Sequence, residues 1–117
     1  MAGPGIGRLR AGTTVCTGSA LLARTGRLDG IAATSNKAAF KWVMAQGPKV
    51  DWKAEARWVE DGKFMTSSGV SAGMDMALAA VQRLYGEAEA ERVATRTEYD
   101  WKRDASWDPF AKIHGLV

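Results

Sequence analysis

A short β-branched run, Thr13-Thr14-Val15, is followed by the helix-compatible run Ala20-Leu21-Leu22-Ala23-Arg24, with only Cys16 and Thr17-Gly18-Ser19 between them. The chain must therefore turn sharply from strand to helix at Cys16, and no other feature fixes its local path as tightly. Gly26 and Asp29-Gly30 stop that helix, and Ile31-Ala32-Ala33-Thr34 predicts a short buried strand. Asn36 is placed to cap the next helix, whose Ala39, Phe40, Val43 and Met44 recur at helical spacing before Gly47-Pro48. Residues 56–60 and 63–67 flank Asp61-Gly62, which predicts a hairpin with a type I′ turn at that pair. Met74, Ala77, Leu78, Val81 and Leu84 form a stripe of 3.6-residue period ended by Gly86. Glu87, Glu89 and Glu91 open a further helix, with Ala90, Val93, Ala94 and Thr97 as its inner face. Residues 100–117 look irregular, yet Trp101, Trp107 and Phe110 are apolar enough to predict packing on the body or on a second subunit.

With 117 residues, 46% hydrophobic and 25% charged, the chain has the makeup of one soluble globular domain. Its glycine-rich start, residues 1–12, is expected to be a disordered leader; Gly3, Gly5 and Gly7 do not make a phosphate loop, because no strand precedes them. No apolar stretch reaches the roughly 18 residues that span a bilayer, and a secretory signal is not expected, because the first fifteen residues hold no continuous apolar run. The net charge of +3 gives no basic stripe, so neither nucleic acid nor membrane is expected as a partner. One cysteine and one histidine cannot make an internal disulfide or a soft metal cluster, so a reducing, cytoplasmic compartment and no metal are expected.

At a strand-to-helix turn the free amides and dipole of the following helix favour a negative sulfur, which would lower the thiol pKa of Cys16 and make it nucleophilic. Thr17 and Gly18 are small enough to admit a substrate, and the amide after the nucleophile is placed to stabilise an oxyanion. That is the geometry of a nucleophile elbow. Taken alone, however, a single cysteine is more often a buried structural residue.

Val15-Cys16-Thr17-Gly18-Ser19, then Gly26-Arg27-Leu28-Asp29-Gly30, then Ala33-Thr34-Ser35-Asn36 resemble the ThiJ/PfpI superfamily, and the run Thr66 to Leu78 (TSSGVSAGMDMAL) resembles its second signature. The resemblance spans Thr13 to about Phe110 and places the chain on a branch similar to the isocyanide hydratases. It implies an α/β fold, a flavodoxin-like, class I glutamine amidotransferase-like sandwich, of which this chain is similar to the C-terminal part, with a β-hairpin and C-terminal helices. It further implies Cys16 as nucleophile toward a small-molecule electrophile, with Thr17, Gly18, Asn36, Gly69 and Ser71 as substrate-binding or oxyanion residues and no cofactor. Isocyanide hydration to an N-formamide through a thioimidate is the leading chemistry. Glyoxalase- or deglycase-like action on reactive aldehydes, and a non-catalytic redox-sensing or binding role, are the alternatives within the superfamily.

Two departures from that pattern bear on catalysis. Many relatives carry a histidine where this chain has Asn36, which can hydrogen-bond but cannot act as a base. The resemblance also places an acidic partner for the thiol upstream of the elbow, and no Asp or Glu precedes Cys16 here; general acid catalysis is typically worth ~10² to 10⁴ in rate, so weak turnover is expected. The strand ending at Cys16 is interior in the superfamily, and an unpaired edge there would favour a homodimer or marginal stability. The remaining polar candidates read as structural. Asp75 is expected to be an exposed or capping acid, Ser67 and Ser68 to lie beside the pocket without a base to activate them, and His114 to be a surface residue. Trp42, Trp52 and Trp58 are expected in core and hairpin packing.

Overall fold

The computed structural model describes residues 12–117. Of the expected leader only Gly12 is among them, and it opens the first strand; the rest lies outside the described residues. In chain order the elements are β1 (Gly12–Val15), α1 (Gly18–Arg24), β2 (Ala32–Ala33), α2 (Phe40–Gln46), β3 (Asp51–Trp52), β4 (Trp58–Asp61), β5 (Phe64–Ser67), α3 (Val70–Tyr85), α4 (Glu87–Arg96) and α5 (Pro109–Ile113). Three strands form one sheet in the order β1-β5-β4, with β1 parallel and β4 antiparallel to β5; β2 and β3 form a separate parallel pair. The pair is tied to the sheet by side chains: Ala32 N donates to Asp61 Oδ2 at 2.8 Å and Thr34 N to Thr66 Oγ1 at 2.9 Å.

All four residues of β5 are buried, because the strand is covered on both faces. Successive side chains of a strand point to opposite sides. Phe64 accordingly packs with Ala23, Leu28, Ala33 and Val50 beneath α1, while Met65 packs with Trp58, Met76 and Ala79 beneath α3. The two small cores thus lie on either side of one central strand.

Several local expectations are corrected by these placements. The hairpin pairs Asp61 with Phe64, so its two-residue connection is Gly62-Lys63, and only Gly62 takes a positive φ (+59°). This is the pattern of a type II′ turn, not of the type I′ expected at Asp61-Gly62. α2 is capped at Ala39 without a side-chain bond, so Asn36 does not cap it. The inner face of α3 is Ala72, Gly73, Asp75, Met76, Leu78 and Ala79, whereas Met74 and Leu84 of the expected stripe are 47% and 69% exposed. Trp58 is buried, Trp52 meets Phe40 edge-on at 6.2 Å between ring centres, and Trp42 is exposed. In the C-terminal tail Trp101 packs against the second core under the guanidinium of Arg103, but Trp107 and Phe110 remain half-exposed. The tail is also less irregular than expected, since Asp108-Pro109 starts α5 with the Asp108 carboxylate accepting from Phe110 N at 3.0 Å.

Asp75 is neither exposed nor a cap. It is fully buried, with Oδ2 2.7 Å from Arg57 Nε and Oδ1 2.8 Å from both the Tyr99 hydroxyl and the Lys102 amide. Burial and this carboxylate together push the Tyr99 hydroxyl above its usual pKa. The residue fastens the C-terminal tail to α3, which is a structural role reached by different means from those expected.

Candidate active site

Cys16 has φ +55°, one of two non-glycine residues with positive φ among those described. A left-handed backbone at a residue with a Cβ costs roughly 1–2 kcal/mol, so it persists only where surrounding bonds impose it. Here they come from both sides of the residue. Cys16 N donates to Ser68 O at 3.1 Å, continuing the β1–β5 ladder, and Ser35 Oγ shares its proton between the Cys16 carbonyl (3.2 Å) and Asn36 Oδ1 (3.0 Å). Ser19, on the first turn of α1, reaches the same segment from below by donating to Thr34 O at 2.9 Å. The sharp strand-to-helix turn is thus observed, with the thiol partly exposed at its apex.

Thr17 is the N-cap residue of α1 but makes no side-chain cap bond. Gly18 follows as the first helical residue, and a Cβ there would touch Thr14 Cβ at 3.5 Å, an ordinary contact. A second close approach sits behind the elbow, where a Cβ on Gly73 would lie 2.7 Å from Val15 Cγ1. The signature glycine of α3 therefore lets that helix settle directly on the strand that carries Cys16.

Beside the elbow lies a cavity of about 410 Å³, and Asn36, Gly69 and Ser71 all line it. Cys16, Thr17 and Gly18 do not, so the expected site residues fall into two adjoining groups, bridged by Ser35 and by Ser68. Ser68, buried, belongs to the cavity wall and donates to Asp108 Oδ2 at 2.5 Å. His114 is exposed, as expected, but it also reaches the cavity wall. Among the described residues no three His, Cys, Asp or Glu side chains come together as a metal site, and no helix is long and apolar enough to cross a membrane.

Lys37 is a site residue that no local pattern announces. It is 3% exposed, and its ammonium donates to Thr34 Oγ1 (2.7 Å), Ser35 O (3.1 Å) and Ala56 O (2.7 Å). Burial lowers its pKa from 10.5 to about 8, partly offset by the charge of Asp108 across the cavity. A lysine beside Asn36 reads as a solvated charge in any pattern analysis; only its immediate apolar followers, Ala38-Ala39-Phe40, hint otherwise. Asp108 carried a readable signal, the Asp-Pro pair of a helix start.

The sequence profile of the DJ-1/PfpI family matches residues 9–83. The chain belongs to the DJ-1/PfpI family. An isonitrile hydratase from Pseudomonas putida is 38% identical over 89 residues, 74% of this chain and 37% of that protein. The crystal structure of a ThiJ/PfpI family protein from Pseudomonas syringae superposes with a TM-score of 0.67 at 34% identity, over 82% of this chain and 38% of the other. An AraC family transcriptional regulator from Pseudomonas putida shares the fold with a TM-score of 0.66 at 22% identity, over 76% of this chain and 47% of the regulator. The chain thus has a mixed α/β DJ-1/PfpI architecture with small sheets and C-terminal helices, and it spans less than half the length of these relatives.

Proposed function

We propose that this DJ-1/PfpI chain carries the nucleophile of an isocyanide-hydrating domain, with Cys16 as that nucleophile. The reading is supported above all by the left-handed Cys16 at the β1–α1 turn, in a chain 38% identical to an isonitrile hydratase over 89 residues. The Cys16 thiolate attacks the terminal carbon of the isocyanide, and that carbon takes up a proton to give a thioimidate. Water then adds to the same carbon, and collapse expels the thiolate and releases the N-formamide, so that one isocyanide and one water are consumed per turnover. Thr17 and Gly18 present amides at the start of α1 toward charge developing beside the sulfur, while Asn36, Gly69 and Ser71 border the space for the rest of the substrate.

Incubating the full chain with an alkyl isocyanide and following formamide by NMR tests the reading. Cys16-dependent formamide, absent in Cys16→Ala, is the expected result. If Cys16 alkylates or oxidises while no formamide forms, the isocyanide reading is refuted, and the redox-sensing role takes its place. Glyoxal consumed in preference to isocyanide would move the substrate class to reactive aldehydes. We further infer self-association: β1 pairs on one side only among the described residues, and Val15, Val70 and Met74 near it are exposed. Sedimentation showing a monomer at micromolar concentration would refute that inference.

A further inference from the structure

We propose that Lys37 is a positioning residue for the elbow, its ammonium clamping the Thr34–Asn36 segment so that Ser35 is held against the Cys16 carbonyl. The inference rests on Cys16 being the reactive group and adds a residue to its machinery. Lys37 is buried without a carboxylate in contact, yet each of its three protons has an acceptor, namely Thr34 Oγ1, Ser35 O and Ala56 O. A buried ammonium held by neutral acceptors alone is costly, and an apolar residue of similar length would satisfy packing in this place. The three acceptors show what the charge accomplishes. Two lie in the segment beneath Cys16 and the third on the loop leading to β4, so the ammonium ties the two together. Thr34 is already anchored by its amide to Thr66 Oγ1, by its carbonyl to Ser19 Oγ, and by its hydroxyl to Lys53 O and Ala56 O, so what the ammonium adds to the segment is its bond to Ser35 O. Ser35 and Asn36 are anchored to the rest of the chain chiefly through Lys37 and through Cys16 itself. Loosening the clamp therefore acts on one of the bonds that impose the left-handed turn. The charged or titratable groups sharing the cavity with Lys37 are Asp108 from the cap of α5, Arg57 ahead of β4, and His114 after α5.

The test is the rate of Cys16 alkylation by iodoacetamide across pH 6.5 to 9.5, in the full chain and in Lys37→Met, with circular dichroism to establish that the variant is folded. Cys16 is the sole cysteine, so the label reports one site. The expected result is alkylation about tenfold slower in Lys37→Met at pH 7, roughly the loss of one hydrogen bond to a charged group. That ratio should shrink as the pH rises through about 8, where Lys37 loses its charge and one of its three donors. A ratio near one at pH 7, or one constant across the range, overturns the proposal, since a merely structural lysine would not couple its proton to the thiol. Should Lys37→Met fail to fold, Ser35→Ala removes only the hydroxyl; slower alkylation at pH 7 supports the clamp and an unchanged rate overturns it. Absence of formamide would sink the hydratase reading while leaving this measurement intact.

Discussion

Gly73→Ala isolates the contact between α3 and the strand bearing the nucleophile. The new methyl would stand 2.7 Å from Val15 Cγ1 and 3.0 Å from Cγ2, where carbon atoms settle at about 3.5–4.0 Å. Helix and strand would have to part by several tenths of an ångström or Val15 would have to leave its rotamer. Overpacking of this kind costs about 1–3 kcal/mol, while replacing glycine in a helix returns roughly 0.8–1 kcal/mol. The net expectation is a destabilisation of up to about 2 kcal/mol, read from urea unfolding followed by tryptophan fluorescence. Val15→Ala supplies the control, because it removes both Cγ atoms and leaves the Val15 Cβ at 3.5 Å, an ordinary contact. In that background Gly73→Ala should be neutral or stabilising by up to about 1 kcal/mol, a change of sign that only direct contact explains. If Gly73→Ala costs the same in both backgrounds, the close approach is not what demands glycine there, and the argument fails.

Further perturbations test other parts of the structure. Lys37 has its folded-state pKa lowered to about 8 from 10.5, so the unfolded chain binds more protons between those values and stability rises with pH across that window, by up to about 3 kcal/mol; the rise should vanish in Lys37→Met, and equal pH profiles would contradict it. Cys16→Gly should be about 1 kcal/mol more stable than Cys16→Ala because only the former adopts φ +55° without a steric penalty, and equal urea midpoints would show the turn to be unstrained. Asp75→Asn leaves the largely buried Arg57 guanidinium without its counter-charge and should cost about 2–3 kcal/mol in thermal or urea unfolding; a loss under 1 kcal/mol would mean that the pair is dispensable.

What the sequence revealed, and what it hid, follows from how each residue earns its burial. The elbow was legible because β-branched residues, one cysteine and a helix-forming run admit a single local path. The extent of α3 was equally legible, but its inner face was not. Pattern analysis favours the apolar stripe through Met74 and Leu84, whereas the helix turns Asp75 inward because Arg57, Tyr99 and the Lys102 amide complete its hydrogen bonding. Lys37 escaped notice for the same reason: whether a charged side chain is buried depends on acceptors that are distant in sequence, here Ala56 as well as Thr34 and Ser35. The hairpin was correctly located but displaced by one residue at its turn. Asp61, itself permissive of positive φ, instead remains in the ladder opposite Phe64 and gives its carboxylate to Ala32. The cavity joining Asn36, Gly69 and Ser71 could be anticipated only through family resemblance, because it is assembled from segments that no local pattern connects.

The bond from the Lys102 amide to Asp75 Oδ1 also governs how the molecule opens. Lys102 lies in a stretch without regular secondary structure, where amides ordinarily trade their protons for solvent deuterium quickly. This one is released only when the tail detaches from α3, a separation that also costs Asp75 its Tyr99 partner and uncovers Trp101. Its deuterium uptake should therefore keep pace with that of the α3 interior, making this stretch of tail and the helix a single cooperative unit whose opening exposes both to a protease together.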